Sequence, residues 1–208
     1  MLGARKRSGG RPSADLFATD DGRRLVLHVG CGPPRAENLH DRFRGADWRE
    51  LRLDIDPRML PDIVADITGM PEVPAASVDA VWSSHNIEHV FAYQVPRVFE
   101  EFLRVLRPGG SVLVTTPDLQ RAAERIASGR LDDPLYDSPA GPVTPLDMVY
   151  GHGREISRGF EEMAHRTGYT ARSLERALRE AGFVDVRVRR EREDLALWAE
   201  ARRPAGDG

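Results

Sequence analysis

The chain has 208 residues, 40% hydrophobic and 30% charged, with a formal net charge of −3. That length suits one globular domain with a sizeable core, and so small an acidic excess rules out a strong whole-molecule field for nucleic acid. A single cysteine, Cys31, excludes an internal disulfide framework and fits a reducing, cytoplasmic setting.

Residues 1–22, rich in Gly, Arg, Ser and Asp, read as a flexible N-terminal arm with room for one short helix. "MLGARKRSGG" has no hydrophobic signal core behind its charges, and no apolar run approaches the ~18 residues of a membrane span. Basic residues cluster at Arg5-Lys6-Arg7 and again over 187–192. "RRLVLHVG" (23–30) is a short apolar strand of the kind buried on both faces in a parallel sheet. "RELRLDID" (49–56), "DIVADI" (62–67) and "VDAVWSS" (78–84) are the next three strands. "QVPRVFEEFLRVL" (94–106) places Val95, Val98, Phe99, Phe102, Leu103 and Leu106 at helical spacing. "RPGG" (107–110) stops that helix, and "SVLVTTP" (111–117) is a fifth strand. One helix fits 119–129, and "LDDPLYDSPAGPVTP" (131–145) is turn chemistry throughout. "TARSLERALREAG" (170–182) is a helix with Thr170 as N-cap and Gly182 beyond its end. "FVDVRVRR" (183–190) and "LALWAEAR" (195–202) complete the strands. Strands alternating with helices or long crossovers predict an α/β domain with an open, mostly parallel sheet. Residues 23–202 form that domain, 119–169 are a lid or acceptor-binding insertion over the carboxyl ends of the strands, and 203–208 are a tail.

In such sheets ligands bind beyond the carboxyl ends of the strands, where the strand order reverses. The first strand ends at Gly30-Cys31-Gly32, a turn that lets the backbone approach a ligand closely. Asp54 closes the second strand, where a carboxylate can accept both hydroxyls of a ribose. Asp66 closes the third, where an acid can take a bond from an adenine amino group while the Ile67 amide meets a ring nitrogen. A dinucleotide enzyme would want a third glycine and a helix N-terminus facing a pyrophosphate. Here Arg35 stands in place of that glycine, and Pro33 and Pro34 occupy the start of the helix. The turn suits a nucleoside without phosphates.

"LHVGCG", "RLDIDPRML", "DIVADITGMP", "SVDAVWSSHNIEHV" and "FLRVLRPGGSVLVTTPD" occur in that order. Over 24–118, and more weakly over 169–183, the chain resembles the class I S-adenosylmethionine-dependent methyltransferases. The likeness is to the small single-domain branch with an S-S-H-x-x-E-H pattern after strand four. The resemblance implies a Rossmann-like seven-stranded sheet, mostly parallel with an antiparallel last strand and helices on both faces. It implies S-adenosyl-L-methionine as cofactor: Gly30, Cys31 and Gly32 beside its methionine part, Asp54 on the ribose, Ile55 beside the adenine. Asp66 and Ile67 would bind the adenine edge, and Ser83 would close the pocket. His28 stands where the family often has an acid that helps hold the cofactor ammonium.

Methyl transfer from a sulfonium is an in-line displacement that depends on alignment, with a base needed only if the nucleophile must lose a proton. Cytosine C5 chemistry needs a cysteine nucleophile, and Cys31 lies in the cofactor loop. Enzymes acting on planar amides or base amino groups usually end strand four with Asn/Asp-Pro-Pro-aromatic, whereas this chain has Ser83-Ser84-His85-Asn86. The expected reaction is therefore transfer to an O or N atom of a small-molecule acceptor, without nucleic acid or membrane, with a homodimer left open. His85 and His152 are the candidate bases. Glu88, His89, Tyr150, His165 and Arg166 are candidate substrate contacts, with packing inside the lid the competing reading for Tyr150. His85, Glu88 and His89, or His152 with His165, also have ligand chemistry, but with no tight set around them no metal is expected. Two alternatives stand: a methyltransferase-fold binding protein without turnover, and an RNA methyltransferase using the basic arm.

Overall fold

The computed structural model describes residues 14–19, 21–138, 140–191 and 195–206. Most of the expected N-terminal arm, with Arg5-Lys6-Arg7, lies outside them, as do Arg192 and the last two residues of the tail. Within the expected arm, Ala14–Phe17 form a 3-10 turn. Leu16 and Phe17 pack against the main core, so this end of the arm is docked.

Seven strands form the main sheet: β1 (Arg24–Val29), β2 (Trp48–Asp54), β3 (Ile63–Val64), β4 (Val78–Ser84), β5 (Leu106–Pro117), β8 (Val184–Arg190) and β9 (Ala196–Arg202). Their order is β3-β2-β1-β4-β5-β9-β8. The first five run parallel, and β9 is antiparallel to both β5 and β8. The chain steps outward from β1 to β3 and then returns to β4 on the other side of β1. The strand order thus reverses between β1 and β4, where a parallel sheet opens a crevice.

One face of the sheet carries α1 (Val95–Val105) and α5 (Ala171–Glu180). Val95, Val98, Phe99, Phe102 and Val105 on α1 are buried, at the spacing that makes one apolar stripe. They meet Leu174 and Leu178 of α5 and the inward side chains of β1, β4 and β5. Thr170 caps α5 by accepting the Ser173 amide, and Ser173 Oγ accepts the Thr170 amide in return. The opposite face is covered by the segment after β1, in which two 3-10 turns, Ala36–Asn38 and Asp41–Phe43, stand where a longer helix would run. Leu39 and Phe43 from that segment pack on Val26, Ala80, Trp82 and Leu113, with Trp48 and Trp198 at the edge.

Two expectations change. The RPGG stretch does not separate helix from strand, because α1 ends at Val105 and β5 begins at Leu106. The register shifts there, with Val78 opposite Leu106 but Ala80 opposite Ser111, so the prolyl-glycyl stretch is accommodated as a bulge. The stretch read as turn chemistry contains a hairpin, β6 (Tyr136–Ser138) with β7 (Gly141–Val143). With α2 (Leu119–Ala127), α3 (Pro145–Tyr150) and α4 (Gly153–Ile156) it builds the insertion. Ala122, Val143, Met148 and Leu195 give that region its own small core. Among the described residues no helix is long and apolar enough to cross a membrane.

Candidate active site

Val29 pairs with Leu53 on one side and Ser83 on the other, so β1, β2 and β4 end level. The turns that follow open into one cleft of about 750 Å³, a size typical of small-molecule sites. Its floor comes from these turns and its far wall from Glu155, Phe160, Glu162, Met163 and Arg166 of the insertion.

The glycine turn is held from three directions. Gly30 and Gly32 have φ of +61° and +59°, a left-handed conformation costly for other residues. A Cβ on Gly30 would lie 2.6 Å from Asn86 Cγ, so the turn after β4 sits directly on it. The Cys31 amide donates to Leu53 O at 3.2 Å, and the Gly32 amide donates to Asp54 Oδ2 at 2.9 Å. Asn38 Nδ2 donates to Cys31 O and Pro33 O at 3.2 and 2.9 Å, fixing the exit where a helix would otherwise begin. Cys31 is buried, and burial pushes its thiol up to about 12, which removes it as a nucleophile.

Asp54 is 8% exposed and faces the cleft. Its other oxygen, Oδ1, accepts the Asp56 amide at 2.9 Å, so one carboxylate organises both the glycine turn and the turn after β2. Each oxygen keeps a second lone-pair direction for a ligand hydroxyl. Asp66 Oδ1 accepts the Thr68 amide and hydroxyl, both at 2.8 Å, and with Ile55 and Ile67 it lines the cleft beyond β3. Arg58 pairs with Asp56 at 2.6 Å and with Glu162 at 3.3 Å, and lies over the Phe160 ring. These contacts tie the insertion to the β2 side of the cleft.

At the other end stand His85, Asn86, His89, Val90, Gln94 and Arg166. His85 has φ +46° and its amide donates to Thr115 O at 3.0 Å, which turns the imidazole into the cleft. Its Nδ1 lies 3.4 Å from Oε1 of the buried Glu88. Thr116 Oγ1 donates to Glu88 Oε2 at 3.0 Å. Burial pushes the Glu88 carboxyl up, but the imidazole of His85, with His89 and His165 nearby, outweighs it and holds the acid at about 2. The Glu88 carbonyl accepts the amides of Arg166 and Thr167 at 2.8 and 3.2 Å, clasping the insertion to this turn. Arg166 stacks over Phe91.

The cleft thus gathers Gly30, Cys31, Gly32, Asp54, Ile55, Asp66, Ile67, His85, His89 and Arg166 of the predicted residues. His28 also touches it, but is 2% exposed with Nδ1 2.6 Å from Glu50 Oε1, a buried histidine engaged from behind the turn. Ser83 is a correction. It is fully buried on the opposite side of β4, and Ser84 faces the cleft instead, because successive strand residues alternate faces. His152 is another, since it is absent from the cleft lining and both its ring nitrogens are buried. The glycine before it is there for packing: a Cβ on Gly151 would lie 2.2 Å from Met163 O. Tyr150 points to solvent at 64% exposure. Glu88 and His165 lie behind the wall, His165 with Nδ1 3.0 Å from Met148 O. The expectation of no tight ligand set also changes, because Glu88, His89 and His165 offer ligand atoms within 4.8 Å of one another. Asn38 and the insertion residue Glu162 were not singled out from sequence, and Asn86 entered only as part of the stretch after strand four.

Residues 27–114 match the family described as "Methyltransferase domain". A relative from Mycolicibacterium smegmatis, named "Probable S-adenosylmethionine-dependent methyltransferase", is 28% identical over 173 residues, which are 80% of this chain. The chain spans 60% of that relative's length. The fold is shared with an S-adenosylmethionine-dependent methyltransferase from Mesorhizobium loti, at 20% identity and TM-score 0.56, covering 94% of this chain and 99% of that one. It is shared also with the Burkholderia thailandensis 1,6-didemethyltoxoflavin-N1-methyltransferase with bound 1,6-didemethyltoxoflavin and S-adenosylhomocysteine, at 17% identity and TM-score 0.53 over 93% and 76% of the two chains. Residues 27–114 thus carry a methyltransferase domain of the class I S-adenosylmethionine-dependent type, with the sheet order and glycine turn of that fold and S-adenosylmethionine as its cofactor.

Proposed function

We propose that this chain transfers the methyl group of S-adenosylmethionine to an oxygen or nitrogen of a small-molecule acceptor. The observation that carries this reading is one cleft with two chemically distinct ends. The Gly30–Gly32 turn, Asp54, Ile55, Asp66 and Ile67 suit a nucleoside, while His85, His89 and Arg166 face the space left for an acceptor. The acceptor atom attacks the methyl carbon as the carbon–sulfur bond breaks, the electron pair goes to sulfur, and the cofactor's positive charge disappears. The chain's work is alignment. Where the attacking group carries a proton, His85 is the residue placed to take it, with the Glu88 carboxylate behind it. Contacts from the insertion across the cleft at Arg58–Glu162 fit an acceptor small enough to be enclosed.

The test uses cofactor labelled in the methyl group with a cell extract as acceptor source, together with calorimetry of S-adenosylhomocysteine. Binding of the nucleoside and label in the small-molecule fraction are expected. Label in RNA overturns the acceptor class, binding without label points to a non-catalytic binding protein, and absence of binding overturns the cofactor site.

A further inference from the structure

Behind the acceptor end of the cleft, three side chains from two separate segments converge. Glu88 and His89 belong to the 3-10 turn Ile87–His89 after β4, and His165 comes from the end of the insertion. Their ligand atoms lie within 4.8 Å of one another, and the two imidazole rings meet edge to face with centroids 5.1 Å apart. A tetrahedral ion with ligands at ~2.0–2.1 Å sets its donor atoms about 3.3 Å apart, so rotation of these side chains by an ångström or so closes the set.

The hydrogen bonds around the three residues are those that metal ligands need. His165 Nδ1 is 3.0 Å from Met148 O, a contact in which the imidazole must donate, so its Nε2 is left with the lone pair. His89 sits between two carbonyls, Ala164 O at 3.3 Å from Nδ1 and His85 O at 3.2 Å from Nε2. A neutral imidazole has one N–H, so it satisfies one carbonyl and keeps a lone pair on the other nitrogen. Backbone carbonyls that fix the tautomer of each histidine are the usual outer shell of an imidazole-bound metal. Glu88 is 1% exposed; its Oε2 accepts from Thr116 at 3.0 Å, while the buried Oε1 has only the longer 3.4 Å approach of His85 Nδ1. Such an oxygen is costly to leave unmet, and beyond the contact with His85 it has a lone-pair direction for a cation.

We propose that Glu88 Oε1, His89 and His165 Nε2 form a binding site for a divalent first-row metal ion of the zinc type. Two imidazoles and one carboxylate are a donor set that takes zinc and its neighbours and leaves coordination positions open. Magnesium, which prefers oxygen ligands and holds its water, fits poorly. Because His89 also lines the cleft, the bound ion stands beside the acceptor end, where it supplies a Lewis acid. Because His165 belongs to the insertion, the ion also joins that insertion to the turn after β4.

The test is metal binding by the full chain after chelator treatment, read by calorimetry with Zn²⁺ and by the visible absorption of Co²⁺, and needs no methyl transfer. One Zn²⁺ per chain is expected, with little response to Mg²⁺. Glu88→Gln and His165→Ala should each weaken zinc by more than the roughly 10–100-fold that follows loss of an outer-shell partner. Circular dichroism checks folding, and if the buried Glu88→Gln variant fails to fold, the half-buried His165→Ala decides. His40→Ala, outside the cluster, should leave zinc affinity unchanged. Substoichiometric zinc, affinity indifferent to His165→Ala, or an equal loss in His40→Ala each overturns the site.

Discussion

Asp54→Asn isolates what one carboxylate does at the centre of the cleft. In the wild type, Oδ2 accepts the Gly32 amide and Oδ1 the Asp56 amide, both at 2.9 Å. An amide side chain offers only one acceptor oxygen, and its NH₂ would face the other backbone N–H. One buried N–H is left unmet, at about 1–3 kcal/mol. For a chain of this size that is a fall in Tm of roughly 2–12 °C, at about 2–4 °C per kcal/mol. The proposed ribose contact suffers separately. A hydroxyl bonded to a charged acceptor contributes about 1.5–3 kcal/mol, so S-adenosylhomocysteine affinity should fall by roughly 10–150-fold. Calorimetry gives the affinity and a thermal melt of the apoprotein gives the stability. A lower Tm with affinity within twofold of wild type would leave Asp54 a structural brace and remove it from the ribose site. If neither value moved, the hydrogen-bond reasoning itself would fail.

Gly30→Ala should lower stability by about 1–3 kcal/mol for the left-handed backbone and lose cofactor binding. Adding Asn86→Ala should relieve the clash with the new Cβ but not the backbone strain, so melts should recover only in part. His85→Ala should cut turnover by the ~10²–10⁴-fold typical of a lost general base, while His152→Ala, outside the cleft, should spare it; steady-state kinetics on whichever acceptor the labelling reveals decides between them. Glu101 accepts from Arg104 Nε at 2.6 Å and from the Met70 amide at 2.7 Å. The Arg104 hydrogen bond holds its carboxyl below the ordinary 4.5 despite some burial. A carboxyl depressed by folding contributes stability above its unfolded value and loses it as pH falls through the folded one. Wild-type stability should therefore fall below about pH 4.5, and Glu101→Gln, less stable at neutral pH, should show a shallower acid limb in a series of melts.

The strand-and-helix framework could be read in the chain because each element carries its own periodicity. β4 spans the residues expected of it, and α1 buries the expected stripe apart from its last positions. What escaped was structure whose cause lies elsewhere in the molecule. The hairpin of β6 and β7 has strands of three residues, too short for alternation to register among Pro and Gly. The segment after β1 is held in 3-10 turns by Asn38 on the backbone of Cys31 and Pro33, and by Trp82 Nε1 on Asn38 O at 2.9 Å. Neither partnership has a local sequence signal.

The same division runs through the site. The places of Gly30, Asp54 and Asp66 at the cleft were legible because a strand end fixes where a residue goes. The histidines differ, because an imidazole can serve as base, ligand or packing group, and only its neighbours decide which. His152 sits between Gly151 and Gly153, and Gly151 is needed for close approach to Met163 O. His165, read as a substrate contact, instead packs on His89, with Nδ1 3.0 Å from Met148 O. Residues 88 and 165 are far apart in the chain, and their backbones meet because Glu88 O accepts the amides of Arg166 and Thr167. That clasp brings His165 up to the Glu88–His89 pair, so a cluster that neither segment displays alone arises from two hydrogen bonds between them.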